Sequence, residues 1–160
     1  GTLMNQCIHN IDLLRWMMGS DVERISAERA RFMRPIEMED FGAALIRFKN
    51  KGIGIVEGSA VVYPKNLEET LSVFGEKGTV VLGGKAVNKV EVWDFADEKA
   101  YDRENFDQVI ENIYGSGHTP LYEDFFLALK EGRQPLVSGD EGRKSMGIVL
   151  GIYEASAIEA

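Results

Sequence analysis

The chain of 160 residues is 44% hydrophobic and 28% charged, which fits one folded domain around a single core and excludes a fibrous or wholly disordered polymer. Its 18 basic against 26 acidic residues give a net charge of −8, which argues against nucleic acid as a partner, because a phosphate backbone is gripped by clustered Lys and Arg. A single cysteine, Cys7, excludes an internal disulfide and a multi-thiolate metal site. No apolar run is long enough to span a bilayer and no secretion signal opens the chain, so a cytoplasmic domain without membrane contact is expected.

The chain opens at Gly1 without an initiator methionine, almost directly on a helical pattern, so the natural protein is expected to extend upstream unless Gly1 is left over from tag removal. From Asn5 to Met18, Ile8, Ile11, Leu14 and Met18 recur at helical steps and Gly19 stands where a left-handed cap is wanted. Val22 to Phe32 and Phe41 to Phe48 read as strands, and Asn50-Lys51-Gly52 turns the second of these into Ile53 to Tyr63 as a hairpin, since Asn and Gly tolerate positive φ. Glu69 to Phe74, Gly78 to Leu82 and Lys89 to Phe95 continue the meander through short glycine-bearing turns.

Ala96 to Glu111 is charged, with little apolar periodicity, and is expected to cross the surface. A helix follows from about Pro120, with Leu121, Phe125 and Leu129 as its stripe, ending before Gly132. A last helix carries Met146, Val149, Leu150 and Tyr153. Helix, strands, then helices predict an α+β fold in a single domain, 1–160: a mainly antiparallel open sheet with helices packed on one face.

Chemistry concentrates on the first helix. On a helical wheel Asn5, His9, Asp12 and Trp16 fall within one stripe of roughly 60°. His9 suits proton exchange near neutral pH, Asn5 can orient a hydroxyl, and Asp12 can hold the imidazole or accept a bond from a ligand. The same residues also read as an ordinary helix-surface pair beside a tryptophan covering the core. His118, in Gly115-Ser116-Gly117-His118-Thr119-Pro120, suits a ligand contact or plain helix entry, with Thr119 as cap and Pro120 in the first turn. No metal is expected, because the only other histidine lies more than a hundred residues from His9. No cofactor-binding residue is expected either: Gly52-Ile53-Gly54 and Gly115-Ser116-Gly117 lack the third glycine of a dinucleotide turn. Cys7 reads as a small packing residue. Arg29, Arg31, Arg34 and Lys65 could meet a diphosphate or carboxylate, or be simply solvated.

The run Gly1-Thr2-Leu3-Met4-Asn5-Gln6-Cys7-Ile8-His9-Asn10-Ile11-Asp12 resembles the segment that opens the C-terminal domain of the Gfo/Idh/MocA oxidoreductases. Gly117-His118, Tyr122-Glu123-Asp124-Phe125, Glu131-Gly132-Arg133-Gln134-Pro135 and Ile152-Tyr153-Glu154-Ala155-Ser156-Ala157 are similar to that family's closing helices. The resemblance implies an NAD- or NADP-dependent sugar dehydrogenase whose cofactor is bound by an N-terminal Rossmann domain absent from this chain, so this piece alone is expected to be inactive. It implies that the chain binds a small-molecule sugar or nucleotide sugar, with a UDP-N-acetylhexosamine or its uronic acid, oxidised at the 3-hydroxyl, as the finer reading. By position, His9, Asn5 and Asp12 become the catalytic group and Asn5, His9, Asp12, Trp16 and His118 the substrate contacts. Asn5 stands where many members have aspartate, so it can bond a hydroxyl but cannot take its proton, and Cys7 replaces a usual glycine.

A homodimer or homotetramer through the sheet face is expected, with Val56, Val61, Leu71, Val73, Val80 and Leu82 as its apolar candidates. Two alternatives stay open: a non-catalytic sugar-binding or dimerisation module, and a metal-dependent isomerase using His9, Asp12 and His118.

Overall fold

A computed structural model describes residues 1–84, 87–97 and 118–159. The expected surface stretch from Ala96 to Glu111 and the Gly115-Ser116-Gly117 turn fall almost wholly outside them. The described elements, in chain order, are α1 (Thr2–Asn5), α2 (Ile8–Met18), β1 (Val22–Ala30), β2 (Phe41–Phe48), β3 (Ile53–Ser59), β4 (Leu71–Gly75), β5 (Gly78–Gly83), β6 (Lys89–Phe95), α3 (His118–Glu131), α4 (Gly139–Ala155) and β7 (Ile158–Glu159). They form two compact units, Gly1–Tyr63 with Val137–Ala160, and Pro64–Leu136. The α+β class with antiparallel meanders agrees with the sequence reading.

In the first unit the sheet order is β3-β2-β1-β7. Strands β1, β2 and β3 are antiparallel, and β7, which has no signal in the sequence, adds to β1 in parallel through Arg29 opposite Ile158. Period-2 alternation sends Gly42, Ala44, Ile46 and Phe48 of β2 and Gly54, Val56 and Gly58 of β3 inward. Leu3 of α1, Ile11 and Leu14 of α2, and Ile148, Val149 and Ile152 of α4 close over that face to make the core. The other face is open: Leu45 pairs with Ile55, and both are exposed, as is Ile53. Val56, expected on the open face, therefore belongs to the core, because it is offset by one residue from Ile55 and the pleat alternates.

The expected single helix from Asn5 to Met18 is two pieces. Gln6 N–H bonds Thr2 O at 2.9 Å and Cys7 N–H reaches the same oxygen, five residues back, at 3.2 Å. This one-turn widening of the π type separates α1 from α2. It also makes room for Cys7, which packs against β3 so closely that a Cβ at Gly58 would lie 2.2 Å from its sulfur. Gly19 ends α2 in the left-handed conformation, as its position promised.

The β2–β3 hairpin forms where expected, but its left-handed residue is Lys51, with φ of 72°, and neither Asn50 nor Gly52. Asn50 is held by other bonds: its Oδ1 accepts from Gly52 N–H and its Nδ2 donates to Met18 O. The second unit contains the sheet β4-β5-β6 and α3. Helix α3 starts at His118, so Thr119 and Pro120 both lie inside its first turn and Thr119 is not its cap. Its stripe of Leu121, Phe125 and Leu129 is exposed, and Ala128 is its one buried side chain among the described residues.

Candidate functional site

Helix α2 presents His9, Asp12 and Trp16 on one exposed line, three and four residues apart, with Ile11 and Leu14 on the opposite, buried side. Trp16 is 68% exposed, so it does not cover the core. Among the described residues the His9 imidazole has no hydrogen-bond partner and projects to solvent. Asn5 stands on the far side of the α1–α2 widening, so the single wheel that joined it to His9 does not hold. Its side chain is exposed, and its Oδ1 accepts a bond from Gln6 Nε2.

Asp12 is engaged with α4 and not with His9. The Ser145 hydroxyl, itself buried, donates to Asp12 Oδ1, and Arg15 Nη2 lies 3.4 Å from the same oxygen. The same guanidinium bonds Glu141 Oε2 at 2.9 Å. Lys144 first, then Arg15, holds the Glu141 carboxyl below the usual carboxylate range. This cross-helix network holds Asp12 Oδ1 and leaves Oδ2 without a protein donor among the described residues, on a side chain that is about half exposed.

His118, the other expected contact, is exposed at the start of α3 in the second unit. The four arginine and lysine candidates separate. Arg29 is buried and meets an internal carboxylate, that of Glu39, so it is not available to a ligand. Arg31 donates to Ile36 O and Arg34, an exposed residue, donates through Nε to Ala60 O. Lys65 belongs to the second unit.

Sequence reasoning missed a buried polar cluster under the start of α1. Glu39 Oε1 accepts from Leu3 N–H at 2.9 Å and from the Tyr153 hydroxyl at 3.1 Å. Arg29 stacks over the Tyr153 ring and donates to Ser156 Oγ and to the carbonyls of Tyr153 and Ser156. Burial, then the Glu39 charge and its hydrogen bond, push the Tyr153 phenol up to about 12. Nothing in the sequence distinguishes Glu39 from exposed Glu37, two residues earlier, so no signal marks this cluster.

Among the described residues no three His, Cys, Asp or Glu side chains converge to hold a metal, and no helix is long and apolar enough to cross a membrane. The described glycines form no strand-to-helix phosphate turn, so these residues do not fit a dinucleotide.

Residues 1–81 match the family model described as the GFO/IDH/MocA C-terminal domain. Among solved structures, the WlbA dehydrogenase from Bordetella pertussis, in complex with NADH and UDP-GlcNAcA, is 35% identical with a TM-score of 0.87, over 97% of this chain and 45% of that one. The UDP-N-acetylglucosamine 3-dehydrogenase GnnA from Acidithiobacillus ferrooxidans shares the fold at a TM-score of 0.73 and 17% identity, over 97% of this chain and 46% of that one. Among curated proteins, the myo-inositol 2-dehydrogenase of Thermotoga maritima is 24% identical over 168 aligned positions, covering 99% of this chain and 47% of the relative. The chain thus spans about half the length of these relatives.

Proposed function

Because the chain belongs to the GFO/IDH/MocA C-terminal domain family, we propose that it is the substrate-binding part of a nicotinamide-dependent dehydrogenase that oxidises a sugar hydroxyl. The observation that carries the finer substrate, a UDP-N-acetylhexosamine or its uronic acid, is the 35% identity maintained along 97% of the chain with a dehydrogenase bound to UDP-GlcNAcA. In this reading His9 takes or holds the proton of the reacting hydroxyl, Asn5 orients a hydroxyl by hydrogen bonding, and Asp12 Oδ2, braced by Ser145 and Arg15, accepts a bond from the sugar. Trp16 offers its exposed ring to the sugar. The nicotinamide cofactor supplies hydride chemistry, and a portion of the natural protein upstream of Gly1 holds it.

Self-association belongs to the same proposal: Leu45, Ile53 and Ile55 give the open sheet face an apolar surface suited to a second copy.

The test is sugar-dependent NAD(P)H formation by the protein encoded with its upstream sequence, supplied with UDP-N-acetylglucosamine, its uronic acid, myo-inositol and levoglucosan. The UDP sugars are expected to turn over best, and His9→Ala is expected to lower kcat by about 10²- to 10⁴-fold, the usual contribution of a positioned acid–base group. A fall of less than about tenfold removes His9 from proton transfer, and turnover confined to free polyols or anhydrosugars overturns the nucleotide-sugar reading.

A further inference from the structure

We propose that Glu39 is a positioning residue, a buried latch that fixes the first turn of the helix pair carrying Asn5 and His9. The relevance to substrate rests on the reading of that helix face given above; the latch itself does not.

The argument starts from burial. Glu39 is wholly buried, and a carboxylate so placed is tolerated only where donors and cations compensate it. Its carboxylate takes one donor from the start of α1 and one, the Tyr153 hydroxyl, from α4. Thr2 N–H bonds the Glu39 backbone oxygen at 3.1 Å and Leu3 N–H bonds Oε1 at 2.9 Å, so two successive backbone donors of the first turn converge on this one residue.

From there the constraint passes along the backbone. Gly1 O accepts from Asn5 N–H at 3.0 Å, Thr2 O accepts from Gln6 and Cys7, and Cys7 O accepts from Ile11 N–H at 2.9 Å. Asn5 and the turn before His9 therefore hang from the segment that Glu39 grips.

The second carboxylate oxygen points the same way. Among the described residues Oε2 has no hydrogen-bond donor, and Arg29 Nη1 lies 3.9 Å from it, the rest of that guanidinium being spent on Ser156 and Tyr153. A Cβ at Gly1 would fall 2.0 Å from Oε2, so any side chain there would have to displace the carboxylate. Tyr153 and Arg29 come from α4 and β1, so the latch joins the start of α1 to two other elements of the core.

The experiment is site-resolved amide hydrogen exchange and His9 ring chemical shift on this chain, comparing parent, Glu39→Ala and Glu39→Gln. In Glu39→Ala the amides of Leu3, Gln6 and Cys7 are expected to exchange about tenfold faster or more, while Ile46 and Val56 in the central strands keep their rates and the His9 resonance moves. Glu39→Gln retains an acceptor for Leu3 but no charge, so it restores Leu3 protection while the Tyr153 phenolate appears at lower pH than in the parent. If Glu39→Ala does not fold, the Glu39→Gln arm decides. Parental Leu3 rates in a folded Glu39→Ala, uniform acceleration of all amides, or a parental Tyr153 titration in Glu39→Gln overturns the latch. An unmoved His9 resonance in the presence of faster Leu3 exchange overturns its positioning role. Titrating the parent with UDP-N-acetylglucosamine separates the two readings: no response at His9 defeats the functional reading and leaves the latch standing.

Discussion

At Asp40 a wholly buried carboxylate collects three successive backbone N–H groups, those of Phe32, Met33 and Arg34, at 2.8 Å each. Burial alone would raise its pKa, but the N–H groups of Arg34, Phe32 and Met33 together outweigh it and hold the carboxyl below its ordinary 3.8. A carboxylate depressed in the folded state contributes stability that is complete above the unfolded value and is lost as pH falls through the folded one, so the loop after β1 is expected to loosen first below about pH 4. Asp40→Asn replaces one acceptor by a donor that faces N–H groups, and it is expected to lower stability by about 2 kcal/mol in denaturant unfolding at neutral pH. An unchanged midpoint there would show that the loop does not depend on this carboxylate. Asp12 illustrates a different environment for the same side chain: it is exposed and braced by Ser145, and its Oδ2 has no protein donor among the described residues.

The β2–β3 hairpin is the element most open to improvement. Lys51 adopts φ of 72°, which costs an L-residue about 1 kcal/mol, while the bonds around it involve backbone atoms or neighbouring side chains. Lys51→Gly relieves that strain at some cost in unfolded-state entropy, for an expected net gain of about 0.5 kcal/mol. A lower melting temperature in the variant would mean that the Lys51 side chain contributes more than its backbone strain costs. Helix α4 begins better supported, with Ser138 Oγ accepting from Glu141 N–H and with Asp140 and Glu141 in the first turn, where the helix dipole favours negative charge. Glu141 also bonds Arg15, so the start of α4 and the polar line of α2 are set together.

For the whole molecule, the open face of the four-stranded sheet carries the proposal of self-association. Ile55 is 79% exposed beside exposed Leu45, so Ile55→Lys costs no core packing and is expected to shift a dimer toward monomer without changing thermal stability. Sedimentation across a hundredfold dilution checks this: a parent chain that stays monomeric throughout, or a variant that associates like the parent, removes this face from the interface.

The sequence by itself determined the class of fold, most strand and helix positions, the left-handed cap at Gly19 and the polar line of His9, Asp12 and Trp16, because these follow from side-chain period and local turn chemistry. It also carried the family, through the run from Gly1 to Asp12. Only the tertiary structure decided which face of β3 is buried, since Val56 and Ile55 are equally apolar and the pleat alone separates them. Tertiary structure also broke the first helix between Asn5 and Ile8, where the chain widens around Cys7 against Gly58, and turned Arg29 inward to Glu39 and Tyr153. Those outcomes depend on partners 10 to 124 residues distant or on a sheet face chosen by the packing of three helices, and one residue's own chemistry cannot encode either.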